Sequence, residues 1–336
     1  MKRKFKFLFP LILTTFAVTG CSFISIEEAE TIKEVVVDQT VLDNYYKDYD
    51  LTETGGYLEL ELQKMCFEKH TNWVTYGQVN GYFNRKTKKE NGKTVVVQNS
   101  AEAIGDGSDK NQFFYTGKEA SSVGTREHVW PCANSGSLWV HDKNAGIRYV
   151  DYSNYIGGGS DLYHIRTANT KVNTARGNSK FVDFKDEEFD AIRSGVTEYG
   201  ENGGKWNIKI QGYETTSSGE IQYAQKCEPD NNMKGDVARI ILYIYIHYRN
   251  RGYYPEGEQV SGNYTYVFKD MLGALSLQNI MGYTSDEKCM EVLKAWNKLD
   301  PPSNVEKLRN DTVQKIQGNR NPFVDYPNLV DRMFED

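Results

Sequence analysis

The sequence predicts an α+β domain that is mainly helical. Three observations carry this. The run from Met233 to Tyr248 is apolar almost all round, with Val237, Ala238, Ile240, Ile241, Leu242, Ile244 and Ile246; a helix without a polar face belongs in the middle of a core. Ser285 to Lys298 and Glu306 to Gln317 read as two more helices on either side of the Pro301-Pro302 stop. The β-favouring segments are short and few, grouped before residue 131 and around residues 206–224.

The elements follow in chain order. Lys2, Arg3, Lys4 and Lys6 form a basic start, and Phe7 to Val18 is mostly apolar but broken by Pro10. That run falls short of the roughly 20 residues that span a bilayer, so residues 1–20 read as a secretory signal. Val18-Thr19-Gly20-Cys21 resembles a bacterial lipoprotein box, which implies cleavage before Cys21 and lipidation of its thiol. The alternative is an uncleaved N-terminal anchor; either way the bulk of the chain is expected outside the cytoplasm, held on the membrane and facing outward. Residues 21–45, polar and acidic, read as a tether, and residues 46–336 as a single domain.

Within that domain, Tyr57 to Phe67 alternates like a strand, but Leu58, Leu62, Met65 and Cys66 also fit one helical face, and its length favours helix. Thr94–Gln98, Gln112–Thr116 and Thr125–Trp130 are candidate strands. Gly157-Gly158-Gly159-Ser160 reads as a flexible break. Residues 167–176 read as a short helix capped by Gly177. Trp206–Gly212 and Gly219–Ala224 form a candidate hairpin. The helix from Met233 is expected to end near Gly252, and Phe268 to Leu277 reads as helix. Ser285 is a candidate N-cap for the helix that follows it.

Net charge is −6, and residues 1–20 carry basic groups but no acidic ones, so the exported part is more acidic still. A general affinity for nucleic acid through a basic surface is therefore disfavoured; a nucleic-acid enzyme of this composition needs a local basic groove or a metal. Besides Cys21 the chain has Cys66, Cys132, Cys227 and Cys289. No CxxC spacing marks zinc or redox chemistry, and the four are open to three disulfide pairings or to burial as free thiols.

The chemistry is concentrated in three short stretches: Arg126-Glu127-His128-Val129-Trp130-Pro131, Asp161-Leu162-Tyr163-His164-Ile165 and Val172-Asn173-Thr174-Ala175-Arg176-Gly177-Asn178. Phosphodiester hydrolysis needs an activated water and neutralisation of phosphate charge. His128 titrates near neutrality and can act as the base. Glu127 points to the opposite face of a strand and can reach a cation. Asn173 offers an amide oxygen to a hard cation such as Mg²⁺. Arg176, three residues on, lies on the same helical face and can fork onto a phosphate. His164 is a candidate to orient a ligand.

These motifs, in order, resemble the bacterial endonuclease I family of secreted, non-specific nucleases within the His-Me finger (ββα-metal) group. The resemblance extends upstream to His70–Val79 with Tyr76. Downstream it takes in Glu228-Pro229, Lys234-Gly235-Asp236-Val237-Ala238-Arg239, Asp300-Pro301-Pro302 and Gln317 to Pro327, so that it covers roughly residues 45–330. It implies a ββα-metal core embedded in a helical domain. It implies His128 as general base, Glu127 and Asn173 as ligands of one divalent metal (Mg²⁺, with Ca²⁺ or Mn²⁺ as alternatives), and Arg176 close to that metal on the phosphate or in a structural role. Lys234, Asp236 and Arg239 would brace the site from below, and Asp161, His164 and Asn178 would support it. The expected substrate is DNA or RNA and the products carry 5′-phosphates; no protein partner is implied and a monomer is expected. Tyr163 departs from the family, which has a histidine there. That departure and the acidic balance keep a second reading, a catalytically silent nucleic-acid-binding lipoprotein of the same fold; a phosphodiesterase or phosphatase acting on small substrates is a third. Asn319-Arg320-Asn321-Pro322 reads as a structural turn locking the C-terminal segment onto the domain.

Overall fold

In the computed structural model the residues described are 38–83, 86–90, 93–97, 112–115, 118–119, 124–132, 155–184, 196–199, 208–211, 214–215, 221–222, 226–249, 258–261, 264–267 and 275–335. The signal segment, Cys21 and the expected helix end at Gly252 lie outside them, as do residues 268–274. Helices are α1 (Gln39–Tyr46), α2 (Gly55–Lys69), α3 (Tyr76–Phe83), α4 (Thr170–Arg176), α5 (Lys234–Tyr248), α6 (Asp286–Leu299), α7 (Asn304–Gln317), α8 (Pro322–Asp325) and α9 (Leu329–Arg332). Strands are β1 (Lys86–Glu90), β2 (Lys93–Val97), β3 (Gln112–Phe113), β4 (Lys118–Glu119), β5 (Thr125–His128), β6 (Ile165–Ala168), β7 (Lys180–Phe181), β8 (Val196–Tyr199), β9 (Ile208–Gln211), β10 (Glu214–Thr215), β11 (Ile221–Gln222), β12 (Lys226–Glu228), β13 (Glu258–Ser261) and β14 (Tyr264–Val267). Helices dominate the core and the strands are short, as an α+β domain of mainly helical character requires. Among the described residues no helix is long and apolar enough to cross a membrane.

Helix α5 is the axis of the core. Every residue from Lys234 to Tyr248 is buried, and α2, α6 and α8 pack around it. Its aliphatic side chains each contribute about 1.5–3 kcal/mol by leaving water. The charged residues at its start are buried in pairs. Lys234 Nζ lies 2.6 Å from Glu228 and 3.3 Å from Asp183. Arg239 forks onto Glu306 at 2.7 and 2.6 Å and donates to Asn297 and to the Asp300 carbonyl. Asp236 lies 3.5 Å from Arg166 on β6. The Lys-Gly-Asp-Val-Ala-Arg run thus ties the central helix to the strand that carries the site.

Helix starts follow the capping signals of the sequence. Ser285 accepts from the Lys288 N–H at 3.2 Å and Ser303 from the Glu306 N–H at 3.2 Å, each satisfying a donor that the first turn leaves open. Gly177, at φ +49, closes α4 by donating its N–H to the Asn173 carbonyl.

Several expectations are corrected. The expected tether contains α1, whose Leu42, Tyr45 and Tyr46 are buried, so the packed domain begins before residue 46. Among the described residues the two strands expected to pair, Trp206–Gly212 and Gly219–Ala224, have other partners: β9 pairs with β8 and β12 in a four-stranded sheet ordered β7-β12-β9-β8, and β11 pairs with β10. Leu277–Asn279 is a single 3₁₀ turn. The glycine run is not a loose break. Gly158–Ser160 form a buried 3₁₀ turn, fastened by the Ser160 hydroxyl to the Val74 carbonyl at 2.8 Å. The four cysteines Cys66, Cys132, Cys227 and Cys289 are free thiols; burial pushes Cys227 up to about 12, consistent with small apolar filler.

Candidate active site

The site is built on β5, β6 and α4. Strands β5 and β6 are antiparallel, with Thr125 opposite Ala168, Arg126 opposite Thr167, Glu127 opposite Arg166 and His128 opposite Ile165. The chain turns at Asn169, whose side chain caps α4 by accepting from the Lys171 and Val172 N–H groups. Gly124, at φ +69, starts β5 where a Cβ would lie 2.6 Å from the Phe113 ring and 2.8 Å from the Ala168 carbonyl, so only glycine fits.

Alternation along β5 separates the two central residues. Glu127 faces inward and is buried, whereas Arg126 and His128 are half-buried. Glu127 Oε1 accepts from the Tyr115 hydroxyl at 2.6 Å and from Arg176 Nη1 at 3.0 Å. Burial raises the Glu127 carboxyl above its usual range, and Arg176 and Tyr115 oppose that rise. Tyr115 reaches Glu127 from a left-handed backbone, φ +72, a conformation that costs a tyrosine energy and is held by its surroundings.

His128 Nε2 lies 2.8 Å from the Gly159 carbonyl oxygen. A carbonyl only accepts, so Nε2 carries the proton and Nδ1 the lone pair. Burial pushes His128 down to about 4, so the ring is neutral at physiological pH. The neighbouring His164 is fixed in the opposite sense. Its Nδ1 donates to the Gly158 carbonyl at 2.6 Å and its Nε2 accepts from the Trp130 N–H at 2.8 Å. Burial, with His128 nearby, pushes it down to about 3. Its lone pair is spent on the backbone, so His164 pins the end of β5 to the glycine turn.

Asn173 Nδ2 donates to the Arg126 carbonyl at 3.0 Å, which leaves its Oδ1 as the acceptor of the amide. Arg176 is 1% exposed. Its Nη1 also meets the His128 carbonyl at 3.1 Å and its Nη2 the Val129 carbonyl at 2.7 Å, so it faces Glu127 and the backbone of β5, not an open surface. Asp161 lies behind the site. Its oxygens accept from the Tyr163 N–H (2.8 Å), Gln317 (3.3 Å), Tyr243 (2.7 Å) and Tyr248 (2.8 Å). Asn178 is exposed on the turn after α4.

The motif order, the antiparallel pair and the helix behind it meet an independent comparison: the family model for endonuclease I matches residues 54–328. The chain belongs to the endonuclease I family. It is 27% identical over 311 residues to an extracellular ribonuclease of Bacillus amyloliquefaciens, covering 91% of this chain and 83% of that protein. It is 31% identical over 210 residues to an extracellular ribonuclease of Bacillus subtilis (strain 168), covering 62% of this chain and 53% of that protein. Membership makes this chain a nuclease.

Endonuclease I membership gives meaning to the residue that departs from the family pattern. Tyr163 is buried, and its hydroxyl lies 3.0 Å from both the Asn310 and Asn319 carbonyl oxygens. The departure therefore falls where the C-terminal segment joins the domain. Gln317 Oε1 accepts from the Leu162 N–H at 2.6 Å, and Arg320 forks onto Asp325 at 2.6 and 2.7 Å. The Asn-Arg-Asn-Pro run is buried and bonded throughout, as a locking turn should be.

Two features escaped the sequence reading. Tyr115 gave no signal beyond an aromatic, β-favouring run. The second is a buried cluster in which ligand atoms of His70, Asp161 and His247 lie within 4.8 Å of one another, close enough to hold a metal ion. The chemistry of the cluster argues for a hydrogen-bonded core instead. His70 Nδ1 and His247 Nε2 are 2.9 Å apart, the distance of an N–H···N bond between neutral rings. Asp161 is already saturated by four donors. Burial holds both histidines below their ordinary range, His247 at about 3.

Proposed function

We propose that this chain is an exported, metal-dependent endonuclease of the His-Me finger type that cleaves DNA or RNA without sequence preference. The observation that carries this reading is the placement of His128: a neutral ring whose tautomer is fixed by the Gly159 carbonyl, on the strand face opposite a buried carboxylate. His128 Nδ1 takes a proton from water, the water oxygen bonds to phosphorus, the bond from phosphorus to the 3′ oxygen breaks, and the released 3′ oxygen takes a proton from solvent water. The products are a 5′-phosphate and a 3′-hydroxyl.

Glu127 and Asn173 would hold the divalent cation. The donor set fits a hard ion, since an anionic carboxylate is set by Tyr115 and Arg176 and an amide oxygen is aimed by the bond of its own Nδ2 to the Arg126 carbonyl. When bound, Mg²⁺ or a similar ion neutralises charge on the phosphate and on the leaving oxygen. Arg176 acts as a positioning residue: it holds Glu127 and the last carbonyls of β5, in place of the phosphate contact that helical spacing alone would allow. Lys234 holds α5 to Glu228 of β12, Asp236 holds it to Arg166 of β6 and Arg239 holds it to Glu306 of α7.

The names of both relatives favour RNA among the substrates and support export; Cys21 as a lipid anchor rests on the Val18-Thr19-Gly20-Cys21 run. The Tyr163 hydroxyl is engaged by the Asn310 and Asn319 carbonyls, which weakens one of the two motives for a silent binding protein; the acidic balance is the other. A plasmid-nicking and RNA-cleavage assay in Mg²⁺ and in EDTA tests the reading. Cleavage in Mg²⁺ that EDTA abolishes is expected; folded protein that cleaves neither substrate in Mg²⁺ would overturn it. Labelling of Cys21 by a radioactive fatty acid tests the anchor, and a Cys21→Ser chain that still labels would remove it.

A further inference from the structure

We propose that Arg126 is the arginine that binds a substrate phosphate beside the general base, and that Tyr76 is the platform that holds it there. The inference rests on the nuclease reading and deepens it. Arg126 lies two residues before His128 on β5, so their side chains leave the same face of the strand, opposite Glu127. Its guanidinium carbon sits 4.3 Å from the centroid of the Tyr76 ring. That ring also stacks on the His128 ring, with centroids 5.7 Å apart and planes 27° from parallel. One aromatic side chain at the start of α3 therefore fixes both the cation and the base.

Four other arginines of the core each face a carboxylate, and Arg309 donates to the Leu162 and Ile165 carbonyls. Arg166 faces Asp236, Arg176 faces Glu127, Arg239 faces Glu306 and Arg320 faces Asp325. Among the described residues Arg126 faces no carboxylate, and its buried Nη1 has no hydrogen-bond partner. An unmatched buried guanidinium N–H is costly. Holding one, flat against a tyrosine and next to a catalytic histidine, is what a site does when its missing acceptor arrives with the ligand. A phosphodiester oxygen has the right charge and accepts a forked donor. This also answers the electrostatic problem set by composition. An acidic chain can take up a polyanion if a cation stands unneutralised beside the reacting bond, and Arg176, paired with Glu127 and bonded to the His128 and Val129 carbonyls, is not that cation.

The test is binding of a fluorescent oligothymidylate to the protein in EDTA, read by anisotropy from 50 to 200 mM KCl. One phosphate contact accounts for about 0.7 in the slope of log affinity against log salt for a single strand. Arg126→Ala is expected to flatten the slope by about that amount and to weaken binding at low salt about tenfold. Arg126→Lys keeps the charge and so the slope, but loses part of the affinity because an ammonium does not fork or stack. Tyr76→Ala weakens binding with the slope retained. If Arg126→Ala does not fold, Arg126→Gln, which drops only the charge, decides. A wild-type slope with affinity within twofold in the uncharged variant would overturn the proposal. So would equal losses in the Ala and Lys variants at unchanged slope, which mark a packing role, or a wild-type protein that does not bind. Cleavage in Mg²⁺ is measured on the same preparations. Binding without cleavage by the wild type removes the nuclease reading and leaves Arg126 assigned; cleavage with an unchanged salt slope in the variants removes Arg126 alone.

Discussion

Removing the Arg176 side chain is the sharpest perturbation of the framework behind the site. Glu127 is 3% exposed and Arg176 1%, and Nη1 lies 3.0 Å from Oε1. Arg176→Ala leaves the carboxylate with Tyr115 as its remaining side-chain donor and takes donors from the His128 and Val129 carbonyls. Stranding one partner of a buried pair costs about 3–5 kcal/mol, and an orphaned buried acceptor about 1–3 kcal/mol. A loss of about 4 kcal/mol or more is expected, and at roughly 2 °C per kcal/mol in a large domain the melting point falls by about 8 °C or more. Much of that loss is the stranded charge. Adding Glu127→Gln to Arg176→Ala neutralises the carboxylate and should recover stability, giving a coupling energy of at least about 1.5 kcal/mol in the double-mutant cycle. Urea unfolding of the four proteins at pH 7.5 measures it. Additivity of the two single changes to within about 0.5 kcal/mol would refute the view that Arg176 acts through Glu127.

His128→Ala should lower cleavage by at least about 10²-fold while calorimetry still records Mg²⁺ binding; near-normal cleavage removes His128 as the base. Glu127→Ala should lose or shift the Mg²⁺ isotherm, and an unchanged isotherm places the ion elsewhere. Tyr163→Phe removes one hydroxyl proton shared by two carbonyls, so a loss of about 1 kcal/mol in urea with cleavage within twofold is expected; a collapse of activity would tie that position to the chemistry. His247 has a folded pKa of about 3, below the roughly 6.5 of an unfolded histidine. Its neutral form therefore supports the fold fully above pH 6.5, and that support is lost as pH falls below it, by about 1.4 kcal/mol per pH unit. Glu306, raised to about 7 by burial, titrates in the opposite sense, so the wild-type curve alone does not isolate His247. The stability gap between wild type and His247→Gln should shrink by about 2 kcal/mol between pH 6.5 and 5, and a constant gap contradicts the buried neutral ring.

The local signals were legible in the sequence because local physics fixes them. The apolar run from Met233, the Ser285 cap and the Gly177 cap each depend on a few neighbours. So does the alternation that sends Glu127 inward and His128 outward. The pairings were not. Strand β5 meets β6 some forty residues downstream, and nothing in either stretch names the other without the family pattern. The glycines 157–159 read as slack because small residues usually mark loops, whereas here the absence of side chains lets two carbonyls approach His128 and His164. Tyr115 was invisible because its role rests on an unusual backbone angle and a partner across the fold. The helix within the expected tether was missed since a polar, acidic segment with three buried side chains looks like linker until its docking surface is known.

The bond between the Leu162 N–H and Gln317 spans 155 residues, and it sets a schedule for synthesis. Leu162 cannot be tied to the C-terminal segment until Gln317 exists, and a ribosome making about 5–20 residues per second needs roughly 8–30 s to travel from one to the other. Throughout that interval the chain already carries Glu127 and His128 but lacks the segment that holds Leu162 and Tyr163. Docking of residues 317–321 is therefore among the last ties to close around the Asp161–Ile165 stretch as the chain is made.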